Sequence, residues 1–230
     1  SAMFDTLTRQ EKEEIISVPL DYHFLTPKDR QVIINNIRQH AGIKDLLFLN
    51  TKFSIGRIDR LFDAPDGKKH YDVRNIGTTA NFAQFMNIKM EGQVPQKADE
   101  ILISRNLVSQ LGKSAIGESL YNRKKSFTIT GIIEDYTDYV YADGYGVANY
   151  GTVQFFIDEG QEGYYSYVKC YPGKVEEVQV WIKQKLQEVL PASIEIKTST
   201  LQKDIEENQA LENKLKGIIL CFSIVCLIIT

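Results

Sequence analysis

The amino-acid sequence predicts an α+β fold in which a β-rich middle is inserted between two similar end units. Residues 15–53 show the order strand, helix, strand, and residues 164–197 repeat that order. The stretch between them contains short alternating or apolar runs bounded by turn residues, which are typical of strands. Two end units of this kind can pack against each other around one core, so we expect a single α+β architecture.

The composition is that of an ordinary globular chain. It has 230 residues, of which 43% are hydrophobic and 25% are charged, and this length suffices to bury a sizeable core. A net charge of −3 argues against a nucleic-acid-binding domain, which normally has a clear basic excess. Three cysteines are too few for a disulfide framework and badly spaced for a zinc site.

The first end unit has clear start and stop signals. A strand is predicted over 15–20. Thr26 and Pro27 predict the start of a helix, because threonine suits the N-cap and proline suits the first turn. Gly42 predicts its end, and a second strand is predicted over 46–53.

The middle and the second end unit follow in the same way. A turn is predicted over 63–67, from the sequence Asp-Ala-Pro-Asp-Gly. After it we predict strands over 71–76, 100–104, 127–133 and 152–157, and helices over 81–86 and 105–111. The second unit is predicted as a strand over 164–170, an amphipathic helix from Val175 closed by Pro191, and a short strand over 193–197.

The last fourteen residues, 217–230, carry no charge. A membrane-spanning helix needs about 20 apolar residues, and this run is apolar on all faces, whereas globular helices usually have an apolar stripe. We therefore predict the start of a truncated transmembrane helix, with Lys214 and Lys216 at the interface. A buried core helix is the alternative.

The segment before this run has helical spacing of its apolar residues. An amphipathic stalk helix is predicted to continue unbroken into the apolar run, with a hinge at Gly217 as the alternative. The apolar positions of the stalk are Leu201, Ile205, Leu211 and Leu215.

The residues with reactive or ionisable side chains give weak patterns. Gly112-Lys113-Ser114 resembles the end of a phosphate-binding loop, but Leu107 stands where that motif needs glycine, so a helix cap is expected instead. The three histidines are scattered, and Cys170 is expected to be a small buried residue. Glu134, Asp135 and Asp138 are expected at a solvated strand end. No catalytic residue, metal site or cofactor is predicted, and the chain is not expected to be an enzyme.

Tyrosine is concentrated in one part of the chain. Nine of the twelve tyrosines lie between Tyr136 and Tyr171. Tyr139, Tyr141 and Tyr145 lie in a predicted loop and form a candidate partner or ligand surface, since tyrosine offers a large amphipathic contact area. Those from Tyr164 to Tyr167 are explained by strand preference.

Several short stretches, taken in order, resemble the MacB-like periplasmic core domain of FtsX-type ABC transporter permeases. Each stretch is only strand or cap chemistry, but their order and spacing cover nearly the whole chain after Ile15. The stretches are His40–Ile43, Phe82–Gly92, Glu100–Gly112, Ala115–Gly117 and Phe127–Asp135. The tyrosine-rich loop over 136–151 is a departure from the family pattern.

The resemblance implies a two-part extracytoplasmic domain running into a transmembrane helix. Residues 1–3 are typical of an expression scar. A porter-like α+β part is expected from 4–80 and 162–200, a β-rich inserted part from 81–161, and the stalk and membrane helix from 201–230.

The resemblance also implies a location on the outer face of the bacterial cytoplasmic membrane and a set of partners. These are a cytoplasmic ATP-binding subunit, a second permease subunit in a homo- or heterodimer, and a periplasmic accessory protein. The domain would be non-catalytic and would couple ATP hydrolysis to export or to work on periplasmic partners. The alternative is a membrane-anchored extracytoplasmic sensor or ligand-binding module.

Overall fold

The computed structural model describes residues 4–53, 59–112, 114–136 and 151–229. The helices in these ranges are α1 (Arg9–Glu13), α2 (Pro27–Gln39), α3 (Phe82–Phe85), α4 (Arg105–Leu111), α5 (Val175–Gln187) and α6 (Leu201–Ile229). The strands are β1 (Ile15–Val18), β2 (Ile43–Leu49), β3 (Asp59–Asp63), β4 (His70–Thr78), β5 (Met90–Gly92), β6 (Glu100–Ser104), β7 (Ser119–Asn122), β8 (Lys125–Ile133), β9 (Gly151–Phe156) and β10 (Tyr165–Cys170).

Three antiparallel strands, in the order β1–β10–β2, form a small sheet covered by helices on both faces. Successive side chains of a strand point to opposite faces, so each strand contributes to two cores. On one face Ile16 and Val168 pack with the apolar sides of α2 and α5. On the other face Ile15 and Tyr167 pack with α3 and the start of α6.

Six further strands close into a ring. The order β4–β3–β7–β8–β6–β9 returns to β4 through a parallel β4–β9 pairing. Closure leaves no free strand edge in the ring, and its interior is filled by apolar side chains such as Phe62, Val73, Ile103 and Val153. One pair, Leu49 opposite Thr78, joins the small sheet to this barrel.

Most local predictions agree with the structure. The strand over 100–104 and the helix over 105–111 match residue by residue. Thr26 caps α2 by accepting the Asp29 N–H at 3.1 Å. The Gly112 backbone is left-handed, with φ of 68°, and ends α4 as a glycine cap does.

Other predictions need correction. Residues 193–197 form no strand. The chain reaches β1 only a few residues later, where Ile16 and Thr200 form an isolated bridge. The second strand lies at Ile43–Leu49 rather than over 46–53. The short elements α1, β3, β5 and β7 were missed, although Thr8 and Glu11 form a capping box that signals α1.

The division of the chain into two parts stays a prediction. The strands β3 and β4 lie in the barrel, although their residues belong to the range 4–80 that was predicted for the porter-like part. The structure thus shows an α+β chain with one mixed sheet, of which the barrel is the middle portion.

Within the described ranges, no helix meets the length and apolarity that a bilayer crossing requires. The predicted transmembrane helix is therefore unconfirmed.

Candidate functional site

The start of the long helix α6 is attached to the sheet by hydrogen bonds between Ser17 and Ser199. The Ser17 N–H donates to the Ser199 carbonyl oxygen at 2.8 Å. The Ser199 N–H donates to the Ser17 hydroxyl at 3.2 Å. Thr200 then caps the helix, since its hydroxyl accepts the Lys203 N–H at 3.2 Å. The point where α6 begins is therefore fixed to strand β1.

The first turns of α6 are part of the hydrophobic core. Leu201 and Ile205 are 1% and 5% exposed and pack in the same cluster as Ile15. An ion pair between Arg9 on α1 and Glu206 at 3.1 Å lies on the outside of this contact. Both of its side chains are largely exposed, so it adds little stability beside the apolar packing.

The rest of α6 leaves the core. Leu211 and Leu215 are 57% and 47% exposed, so only half of the predicted stalk positions contact the domain. The large apolar side chains from Ile218 to Ile228 are exposed as well. The helix runs through Gly217 without interruption, so the continuous helix is observed and the hinge alternative is not.

The predicted tyrosine surface lies outside the described residues, since Tyr139, Tyr141 and Tyr145 all fall in 137–150. Tyr136 beside it has a structural role. Its hydroxyl accepts the Gln154 amide at 2.9 Å, and its ring centroid lies 5.5 Å from that of Phe82. Tyr165 and Tyr167 lie on β10, as strand preference predicted.

Sequence reasoning missed a polar cleft at the start of α6. It has a volume of about 350 Å³ and lies beside α6, over the part of β1 and β10 that this helix does not cover. Asp21, Lys52, Tyr167 and Asp204 are among its lining residues. No sequence signal marks this site, because the four positions come from the β1–α2 connection, the segment after β2, β10 and α6.

The groups of this cleft have perturbed electrostatics. Burial raises the pKa of Asp204, against the lowering effects of the Ser199 hydrogen bond and of Lys52 and Lys203. Burial also raises the pKa of the Tyr167 phenol, so this group stays protonated at neutral pH. The Lys52 ammonium lies 5.6 Å from the centroid of the Tyr165 ring, a cation–π distance.

The candidate acid–base groups have structural partners. Glu134 accepts hydrogen bonds from Arg105 at 2.7 Å and 3.2 Å, and Asp135 accepts the Asn106 N–H at 3.0 Å. The end of β8 is therefore tied to the start of α4 rather than merely solvated, while Asp138 lies outside the described residues.

Other candidate residues for chemistry have ordinary environments. Cys170 is 1% exposed, and burial raises the pKa of its thiol to about 12, so it is no nucleophile at neutral pH. Among the described residues no cluster of His, Cys, Asp and Glu is arranged to hold a metal ion.

Comparison with known proteins shows the fold. No protein-family model matches the chain, and no curated protein matches its sequence. Among the solved structures that match, two have TM-scores of 0.57. A domain of a protein assigned as a permease from Porphyromonas gingivalis is 15% identical and covers 82% of this chain and 90% of its own. The periplasmic region of MacB from Actinobacillus actinomycetemcomitans is 11% identical and covers 89% and 95%.

The chain therefore has the fold of a MacB-like periplasmic domain, and the resemblance seen in the sequence is confirmed at the level of the fold. At these identities the match speaks for architecture, whereas function has to be argued from the features of this chain.

Proposed function

We propose that this chain is the extracytoplasmic domain of an ABC transporter permease subunit, and that α6 transmits movement between the membrane and the domain. The domain is non-catalytic in this proposal. It couples ATP hydrolysis in the cytoplasm to export or to work on periplasmic partners. The fold supports the assignment to a permease domain, and the continuity of α6 supports the transmission of movement along this helix.

The observation that carries the mechanism is the continuity of α6. Its 29 residues correspond to about 43 Å of helix. One end is held in the core by Leu201 and Ile205, and the other end bears uncharged side chains, of which the large apolar ones are exposed. Because a continuous α-helix resists bending, a displacement of its outer end moves the part of the sheet to which Ser199 is bonded.

We further propose that residues 217–229 lie in the hydrocarbon of a bilayer. They carry no charge and, at 1.5 Å per residue, extend about 20 Å, which is some two thirds of the hydrocarbon thickness. Exposed apolar side chains around a whole helix are unfavourable in water. Lys214 and Lys216 precede them, at a position that suits the headgroup region.

The partners follow from the same proposal. A cytoplasmic ATP-binding subunit supplies the energy, and a second permease subunit completes a dimer in the bacterial cytoplasmic membrane. An accessory protein on the periplasmic face is a further expected partner. No part of the described chain is proposed to bind a nucleotide.

The test breaks α6 between the core and the apolar run in the assembled transporter. Four residues, Gly-Gly-Ser-Gly, are inserted after Gly217, and a spin label is placed at Lys183→Cys on the exposed side of α5. In the wild type we expect ATP to change the distance between the labels of the two outer domains. The insertion should abolish that change while ATPase activity persists.

The matched control inserts the same four residues after Asp66, in the surface turn between β3 and β4, and should leave the change intact. An ATP-dependent distance change that survives the insertion after Gly217 would refute the coupling mechanism. Failure of any ATP-binding subunit to purify with the full-length chain would refute the permease assignment.

A further inference from the structure

The cleft beside α6 lies where this helix covers only part of one face of the small sheet. Leu201 and Ile205 of α6 pack near Ile15, at the start of β1. Two residues further along β1, Ser17 lies opposite Tyr167 of β10, and both line the open cleft. The volume of about 350 Å³ is within the range of small-molecule sites.

Charges of both signs line this cleft without forming ion pairs with each other. Asp21, Lys52 and Asp204 line it, and in the part of the chain that the structure describes none of the three forms an ion pair. Lys197, which also lines the cleft, forms an ion pair with the exposed Glu195 at 3.4 Å. The cleft therefore offers separate cationic and anionic groups to a ligand.

The floor of the cleft adds an aromatic surface and a buried hydroxyl. Tyr167 is 4% exposed, and its hydroxyl accepts the Phe53 N–H at 3.2 Å. Tyr165 lies beside it under the Lys52 ammonium.

The wall formed by Asp21 and Tyr22 is held in place from behind. Arg30 is 2% exposed and donates to the carbonyl oxygens of Leu20 at 3.0 Å, Tyr22 at 3.4 Å and Leu25 at 3.3 Å. Three charge-assisted hydrogen bonds to one loop fix its path. The carboxylate of Asp21 thus belongs to a preformed wall, as expected of a binding site.

From this arrangement we infer that the cleft binds a small zwitterion, either a free amino acid or a short peptide. Its ammonium is bound by Asp204 and Asp21, and its carboxylate is bound by Lys52 and Lys197, over the tyrosine floor. A ligand with both charges can pair with Asp21, Asp204 and Lys52, which form no ion pair among the described residues, whereas a ligand with one charge pairs with only some of these groups.

The test uses four probes on the purified chain, with binding measured by calorimetry. Dialanine and free alanine carry both charges, N-acetyl-dialanine carries only the carboxylate, and dialanine amide carries only the ammonium. We expect one of the zwitterions to bind with a dissociation constant of about 0.1–1 mM. Each singly charged probe should bind about tenfold more weakly or worse. The tighter of the two zwitterions identifies the source of the ligand.

Lys52→Gln and Asp204→Asn should each weaken binding of the zwitterion by about tenfold. Lys44→Gln on β2 and Glu176→Gln on α5, which are exposed and outside the cleft, should leave it unchanged. The inference is overturned if neither zwitterion binds at about 10 mM. It is also overturned if the wild type and Lys52→Gln bind the zwitterion equally. Lys52 is exposed, so its variant is expected to fold. The inference does not rest on the permease function.

Discussion

The Ser17 N–H donates to the Ser199 carbonyl oxygen at 2.8 Å, and this bond joins an edge strand to the residue that almost immediately precedes the longest helix. Leu201 follows two residues later and is fully buried. The direction of α6 is thus set by the sheet and not by a flexible linker. This relationship makes the helix a rigid extension of the domain.

Truncation of the buried start of α6 should destabilise the whole domain. We expect Leu201→Ala to lower the free energy of unfolding by about 2–5 kcal/mol, because the cavity it leaves lies in the core. Leu211→Ala on the same helix removes the same atoms from a side chain that is 57% exposed and should change it by less than about 0.5 kcal/mol. Urea unfolding of both variants checks this. Equal effects would contradict the anchored start of α6.

The buried guanidinium of Arg30 should matter more than a surface arginine of the same helix. Arg30→Met leaves the carbonyl oxygens of Leu20 and Leu25 without their donor and should cost about 2–4 kcal/mol. Arg38→Met removes only an exposed ion pair with Glu159 and should cost less than about 1 kcal/mol. Thermal unfolding compares the two. A mild effect of Arg30→Met would show that the β1–α2 loop is held by other contacts.

A methyl group at Gly131 should disturb the barrel. Its Cβ would lie 2.6 Å from the Glu91 carbonyl oxygen and 2.7 Å from a methyl carbon of Leu102. Because the nearer atom is backbone, Gly131→Ala should cost about 1–3 kcal/mol. Gly217→Ala meets nothing within 4 Å and should raise helix stability by up to about 1 kcal/mol. Wild-type stability of Gly131→Ala would mean that β5 does not pack closely on β8.

Asp204 should give the stability a pH dependence of defined sign. Burial raises the pKa of Asp204 in the folded chain above its ordinary value of 3.8, so the folded state binds this proton more tightly than the unfolded state. Stability therefore falls as the pH rises from about 3.8 through the folded pKa. The charged groups that act on Asp204 are Lys52, Lys203 and Glu207.

Asp204→Asn removes this titration. The variant should gain stability relative to the wild type between pH 3 and pH 7, as measured by urea unfolding at each pH. Glu176→Gln, at an exposed position of α5, serves as the control. A difference between Asp204→Asn and the wild type that stays constant over this range would show that Asp204 is not destabilised by burial.

The sequence predicted those elements whose signals are local. The strand over 100–104 and the helix over 105–111 were placed correctly because an apolar run precedes a helical pattern that Gly112 ends. The start of α2 followed from Thr26 and Pro27. Continuity of α6 was predictable because no proline and only one glycine interrupt its 29 residues.

Other features depend on contacts between distant residues. The barrel closes through the pairing of β4 with β9, whose residues Val73 and Gly151 are far apart in sequence, and no local pattern specifies that pairing. The cleft likewise brings together Asp21, Lys52 and Asp204, which come from three distant segments of the chain. Each of them is an ordinary surface charge when the sequence is taken alone.

The two cysteines of the apolar run allow the most direct test of the membrane proposal. Cys221 and Cys226 are exposed in the described chain, whereas Cys170 is buried. In open proteoliposomes containing the full-length chain, a membrane-impermeant maleimide should label neither Cys221 nor Cys226, because a thiolate does not form in hydrocarbon. Cysteine introduced at exposed Gln209 should be labelled fully in the same vesicles. If Cys221 and Cys226 react as fast as the cysteine at position 209, α6 does not enter the bilayer and the account is wrong.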